Sequence, residues 1–256
     1  MEDIFEEIVK LKREGKRAAL ATVISVKGSS PREEGAKMLI KRDGATVGSI
    51  GGGSIEAKVC QEAKRIMDRG KAEILHFDLT GKATEEGMIC GGVMDIFVEP
   101  ILSPPTLYIF GGGHISLPLT KMGKIVGFNI VVIDDRSDFA SPERFPEADE
   151  VFAQDFPEVF PKLKVNKSSN IVIVTRGHFS DEVVLEWAVK TEARYIGVIG
   201  SKKKNEAIFS HLKSKGIPQD LLQKVHAPIG LNIGAETPEE IAVSILAELI
   251  KTEREL

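Results

Sequence analysis

Cysteine and the large aromatics are scarce in this chain: its 256 residues include two cysteines, one tryptophan and two tyrosines. Cys60 and Cys90 alone build neither a CxxC metal site nor a disulfide framework, so a reducing cytoplasmic setting is expected. Positive charge is not in excess either. A formal net charge of −4 argues against non-specific nucleic-acid binding, whose energy comes mainly from neutralising phosphates. No apolar run approaches the ~20 residues of a membrane span. The opening MEDIFEEIVKLKREG starts acidic without a long apolar core, so neither a secretory signal nor a transit peptide is expected. Internal repeats and low-complexity tracts are missing as well. Nucleic acid and membrane are therefore not anticipated as partners.

What is present is a globular composition, 42% hydrophobic and 28% charged, in a length that suits two modest cores better than one. The prolines of EPILSPPTL, residues 99–107, interrupt the pattern between two apolar strands. They put a domain boundary near Ser103, giving an N-terminal domain 1–103 and a C-terminal domain 104–256.

The first part reads as α+β. Ile4, Phe5, Ile8, Val9 and Leu11 mark one face of a helix closed by Gly15, and AALATVISV reads as a strand. GSSPREEG is a loop, and AKMLIKRDGATVGSI a hairpin turning at Asp43 and Gly44. Ile55, Val59, Ala63, Ile66 and Met67 mark a second helix ending at Gly70; AEILHFDL and VMDIFVEP then flank the loop TGKATEEGMICGG.

The second part alternates strictly. TLYIF, NIVVIDD, EVFA, NIVIVT and YIGVIG are short apolar runs separated by helical patterns, which predicts a Rossmann-like parallel sheet with helices on both faces. Thr237, Pro238 and Glu240 supply a capping box before a last helix with Ile241, Ile245, Leu246 and Leu249 as its buried stripe.

Two glycine triplets stand at helix starts. In GGGHIS, residues 111–116, Gly111 and Gly113 follow a strand and match G-x-G-x-x-G except that Ser116 replaces the last glycine. Asp134 and Asp135 follow about twenty residues on, where a ribose hydroxyl would be bound. Two readings stay open: a nucleotide-like or pterin-like ligand on the helix N-terminus, or a tight turn that binds nothing. Ser116 loosens helix–strand packing, and Pro118 is awkward unless the helix begins late.

The other triplet, Gly51, Gly52 and Gly53, lacks a βαβ context but also precedes a helix, where it could bind an anion, or Glu56 in the first helical turn could instead satisfy the local dipole. Its company is Ser29, Ser30 and Arg32 in a proline-bent loop and Cys90 before a glycine pair. A cation such as Arg32 or Lys37 would favour the Cys90 thiolate, whereas Cys60, on an apolar helix face, reads as a small packed hydrophobe. His114 and His178 lie at strand ends, where neutral imidazoles can donate to oxo groups or phosphates.

The blocks GSSPREEGAKMLI, GSIGGGSIE, CGGVMDIFVEP, IFGGGHIS, VVIDDRSDF, YIGVIGSKKK and PIGLNIGAETPEEIAVSILAELI occur in this order, and together they resemble the XdhC/CoxI family from Ala18 to Ile250. The resemblance implies an accessory protein for molybdenum hydroxylases of the xanthine dehydrogenase type. Such a protein binds the molybdenum cofactor (molybdopterin, bare or as its dinucleotide), supports its sulfuration with a cysteine desulfurase, and inserts it into the apoenzyme. It implies that the first triplet and Cys90 serve the pterin or its metal. The second triplet, with Asp134, Arg136, Ser201 and Lys202, would serve a phosphate or nucleotide. The family more often shows arginine in the GSKKK loop, and lysine gives up bidentate phosphate geometry.

The other class of function is an NAD(P)-dependent oxidoreductase or a nucleotide-sensing regulator. No Tyr-x-x-x-Lys arrangement is present, and Tyr108 and Tyr195 both lie in apolar strands, which favours a cofactor chaperone over a turnover enzyme. A homodimer is expected, because the first domain has few elements to cover its strands.

Overall fold

The computed structural model describes residues 3–79 and 92–254. The chain divides into two compact units, Met1–Ser103 and Pro104–Leu256.

In the first unit, helix α1 (Ile4–Arg13) starts at Asp3, whose carboxylate accepts from the backbone N–H groups of Phe5 and Glu6. Strands β1 (Ala18–Lys27), β2 (Lys37–Lys41) and β3 (Thr46–Gly48) precede helix α2 (Gly53–Arg69), which Gly70 ends in the left-handed conformation. Strands β4 (Glu73–Asp78) and β5 (Val93–Ile101) complete an antiparallel sheet of order β3-β2-β1-β5-β4.

The alternation along β1 decides which side each helix covers. Ala19, Ala21 and Val23 face α2 and pack with its Ile55, Val59, Ala63, Ile66 and Met67. Ala18 and Leu20 face the side where Leu11, Ile4 and Ile8 of α1 sit. Each fully buried aliphatic side chain contributes about 2 kcal/mol of transfer free energy. The single apolar face expected of α1 is narrower than the sequence suggested. Ile4, Ile8 and Leu11 share one stripe, whereas Phe5 and Val9 lie one residue, about 100°, away on the helical wheel and are 60% and 48% exposed.

In the second unit, β6 (Thr106–Phe110), α3 (Ser116–Val126), β7 (Asn129–Asp134), β8 (Glu150–Ala153), α4 (Phe156–Val159), β9 (Ser169–Ile173), α5 (His178–Ala188), β10 (Tyr195–Val198), α6 (Lys202–Ser214), α7 (Gln219–Leu222) and α8 (Pro238–Arg254) follow in turn. The parallel sheet has the order β10-β9-β6-β7-β8. Both faces are buried, as parallel sheets require. Leu107 and Ile109 of β6 point into a core with Leu119 of α3 and Ile245 of α8, while Tyr108 and Phe110 point into the opposite core with Val184 of α5 and Ile208 of α6.

The capping box forms: Thr237 Oγ1 accepts from the Glu240 N–H at 3.2 Å, and Glu240 Oε2 accepts from the Thr237 N–H at 3.1 Å. Helix α3 begins late enough for Pro118 to fall in its first turn, where a missing N–H costs no intrahelical bond. Among the described residues no helix is long and apolar enough to cross a membrane.

Candidate functional site

The strand order reverses at β6. The chain steps from β6 to β7 on one side, and later enters β9 on the other. A sheet of this kind binds ligands beyond the carboxyl ends of its strands at that reversal. The loops that flank it are residues 111–115 after β6 and residues 174–177 after β9.

Gly111 and Gly112 are required by the fold. A Cβ on Gly111, at φ +108°, would stand 2.4 Å from the carbonyl oxygen of Val174, and one on Gly112 would stand 1.9 Å from that of Phe139. Gly113 differs, since a Cβ there meets no atom within 4 Å and its φ is not in the left-handed region. Helix α3 lacks both a side-chain cap and an acidic residue in its first turn, so the positive end of its dipole has no internal compensation there. Ser116 does not loosen the turn as its substitution for glycine suggested; it is buried, and its hydroxyl donates back to the Gly111 carbonyl.

Asp134, the residue a ribose hydroxyl would meet, is engaged by donors of the chain itself. It is 2% exposed. Its Oδ2 accepts from the Gly112 N–H at 2.7 Å and Arg136 Nη2 at 2.9 Å, and its Oδ1 from Arg136 Nε at 2.8 Å and the Arg136 N–H at 3.0 Å. Four hydrogen bonds within the chain therefore reach this carboxylate, which fastens the glycine loop to the end of β7. Burial pushes its pKa up, but the Arg136 fork and the two backbone N–H groups outweigh that and hold it below the usual carboxylate range. Arg136 stacks on Phe139, with its Cζ 3.6 Å from the ring centroid, and Arg144 donates from Nε to the Gly112 carbonyl at 3.2 Å.

His114 and His178 are both exposed, at the carboxyl ends of the adjacent strands β6 and β9. Ser201 caps α6 by accepting from the Lys204 N–H, and Lys202 is exposed at the first helical position after the neighbouring β10. Cations at this helix start suggested a bound anion. The structure supplies another reason for one of them: Lys204 Nζ donates at 2.6 Å to Asp181, which is fully buried and also accepts from Thr175 Oγ1 at 2.6 Å.

Sequence reading missed Arg176. It follows β9 and pairs with Asp135 beyond β7, Nη2 to Oδ2 at 2.8 Å, and nothing local in TRGHFS says which strand end it reaches. Neither tyrosine offers a proton donor in the crevice. Both are buried, Tyr195 donates to Glu248, and burial, reinforced by that carboxylate, pushes its pKa up.

In the first unit the expected loops do come together. A Cβ on Gly51 would stand 2.6 Å from Cγ of Pro31, and one on Gly92 would stand 2.4 Å from the carbonyl oxygen of Ser29. The loop of residues 28–35 thus packs against both the triplet and the start of the last strand. Ser29 and Arg32 are exposed, and Ser30 Oγ bonds to the Arg32 backbone within the loop.

Of the two readings of the triplet, its hydrogen bonds favour the one in which Glu56 serves the helix start. Glu56 Oε1 accepts from Ser49 Oγ at 2.7 Å and from the N–H groups of Ile50 and Gly52 at 3.0 and 2.9 Å, while the Gly51 N–H donates to Ser49 Oγ. The anion in this loop is the chain's own carboxylate. Burial pushes the Glu56 pKa up, but these donors outweigh it and leave the carboxyl below its ordinary value. Glu56→Ala is expected to destabilise the first unit by about 2 kcal/mol, because three donors lose one acceptor. Glu56→Gln should recover part of that, as read by chemical denaturation.

Cys60 is half-buried on α2 against the core of the first unit, and burial followed by the nearby Glu56 charge pushes its thiol up, away from reactivity. Cys90 lies outside the described residues. Among those described, no cluster of three or more His, Cys, Asp or Glu side chains could hold a metal ion.

Two sequence families account for the two units. Residues 107–249 match the XdhC Rossmann domain, and residues 11–78 match the XdhC and CoxI family. The chain belongs to the XdhC and CoxI family. It is 32% identical to Escherichia coli (strain K12) YqeB over 97% of its own length but only 46% of YqeB, so it spans about half of that relative. It is 24% identical to a probable xanthine dehydrogenase subunit of Bacillus subtilis (strain 168), covering 93% of each chain. It is 22% identical to the molybdenum cofactor insertion chaperone PaoD of Escherichia coli (strain K12), over 92% of this chain and 83% of that one. A crystal structure described as a xanthine dehydrogenase from Bacillus halodurans superposes with a TM-score of 0.54 at 25% identity, covering 97% of this chain and 95% of the other.

Proposed function

We propose that this protein binds the molybdenum cofactor, supports its sulfuration by a cysteine desulfurase, and delivers it to a xanthine dehydrogenase-type molybdenum hydroxylase in the cytoplasm. Family membership and the functions named for two relatives support the accessory role. The observation that carries the ligand reading is Gly113. The fold makes no demand for glycine there, yet it stands at the reversal of strand order, beside the uncapped start of α3, where backbone must come close to whatever binds. A pyrophosphate or nucleotide moiety of the cofactor fits this place, with His114 and His178 at its sides. NAD(P) is the alternative occupant.

In the first unit, Ser29 and Arg32 are the exposed candidates for the pterin end once the triplet is committed to Glu56. Cys90, two positions before Gly92 in sequence, is the candidate thiolate for the metal or for the sulfur loaded onto it; molybdenum accepts soft thiolate ligands.

Anaerobic purification with metal analysis tests the proposal. Wild-type protein should carry molybdenum, Cys90→Ser should carry less and fail to yield active client hydroxylase, and Cys60→Ser should behave as wild type. Reconstitution by Cys90→Ser that matches wild type in rate and extent removes the cysteine role. A nicotinamide nucleotide without molybdenum in the purified protein removes the chaperone reading. Light scattering on the same preparation reads the expected homodimer.

A further inference from the structure

We propose that Arg176 is the phosphate-capturing residue of the crevice in the second unit, held on Asp135 until an anionic ligand takes it over. This deepens the nucleotide reading above and rests on it.

The argument begins with strand order. β9 and β7 pair with opposite edges of β6, so residues just beyond their ends are separated by two strand spacings, about 9.5 Å. Arg176 follows β9 and Asp135 follows β7, yet Nη2 and Oδ2 are 2.8 Å apart. The pair therefore joins the two strand ends that flank β6, where Gly111, Gly112 and Gly113 leave the sheet. A phosphate seated on that loop would lie between the same two strand ends.

The contact is also easy to exchange. The Arg176 side chain is 57% exposed and that of Asp135 22%, so the pair is largely screened and weak. Asp135 is not orphaned when Arg176 leaves, because its Oδ1 lies 3.7 Å from Arg136 Nε. Arg136 itself is fastened to Asp134 by its fork and cannot follow the ligand. A planar guanidinium offering two parallel donors matches a phosphate better than it matches a single carboxylate oxygen.

The rival role for Asp135 is direct acceptance of a ribose hydroxyl, and the two roles predict opposite signs. Titration calorimetry on the full chain, with ADP, CDP and inorganic pyrophosphate as probes, distinguishes them. Arg176→Gln is expected to weaken binding about tenfold or more, through loss of a charge-assisted bond. Asp135→Asn is expected to tighten it about threefold by releasing the arginine. The double variant should match Arg176→Gln alone, because the effect of Asp135 passes through Arg176. Weaker binding by Asp135→Asn, or unchanged binding by Arg176→Gln while wild type binds, overturns the role of Arg176 and leaves the nucleotide reading standing. Wild-type protein that binds none of the three probes overturns both.

Discussion

Alanine in place of Gly112 is expected to destabilise the second unit by more than about 3 kcal/mol, whereas valine in place of Gly113 should leave its stability within about 0.5 kcal/mol and remove ligand binding. The two glycines are adjacent, and their surroundings are opposite. A methyl added to Gly112 would lie 1.9 Å from the Phe139 carbonyl oxygen and 2.8 Å from its carbon. Those are backbone atoms of a short 3₁₀ turn, Ser137–Phe139, tied down by the bonds from the Phe139 and Ala140 N–H groups to the Arg136 carbonyl. Relief requires moving that turn, and with it the Arg136 fork on Asp134. Gly113 has no such neighbour within 4 Å of a Cβ, so a side chain can enter the space above the loop. Differential scanning calorimetry paired with ligand titration checks both halves. A Gly113→Val protein that melts like wild type and still binds nucleotide would reduce the triplet to a turn.

The second large effect belongs to Asp134. Asp134→Asn should cost about 3 kcal/mol, the lower end of the range for breaking a buried ion pair, because the Arg136 side chain remains 28% exposed and can rehydrate in part. The Gly112 N–H would then face an amide that competes as a donor, so the glycine loop should loosen together with the strand end. The same pair predicts a pH dependence. The folded-state pKa of Asp134 lies below its unfolded value of about 3.9, so its contribution is fully present above that value and is lost as pH falls through the folded one. Stability measured by urea denaturation between pH 6 and pH 3 should therefore fall less steeply at the acid end for Asp134→Asn than for wild type. Parallel curves would mean that Asp134 does not carry the linkage.

The class of each half was legible in the sequence because it depends on local periodicity. A two-residue repeat and a hairpin turn at Asp43–Gly44 require an antiparallel strand pair. Uniformly apolar runs such as TLYIF and NIVVID, separated by helical spacing, require strands covered on both faces. The capping box at Thr237–Glu240 and the glycine stop at Gly70 are likewise settled by residues within one turn of each other.

The partner of Asp134 was not legible, because it comes from a distant segment, whereas Glu56 meets groups four to seven positions away. Glu56 turns back onto Ile50 and Gly52, and Asp134 reaches Gly112 across 22 positions, so each holds its own glycine loop. Both glycine triplets look alike as strings. Only packing separates the one filled by its own glutamate from the one that leaves Gly113 open. Arg176 carries the same lesson furthest. Its sequence neighbours are consistent with any exposed arginine, and its pair with Asp135 exists only because β9 and β7 flank β6, a consequence of strand order that no local pattern encodes.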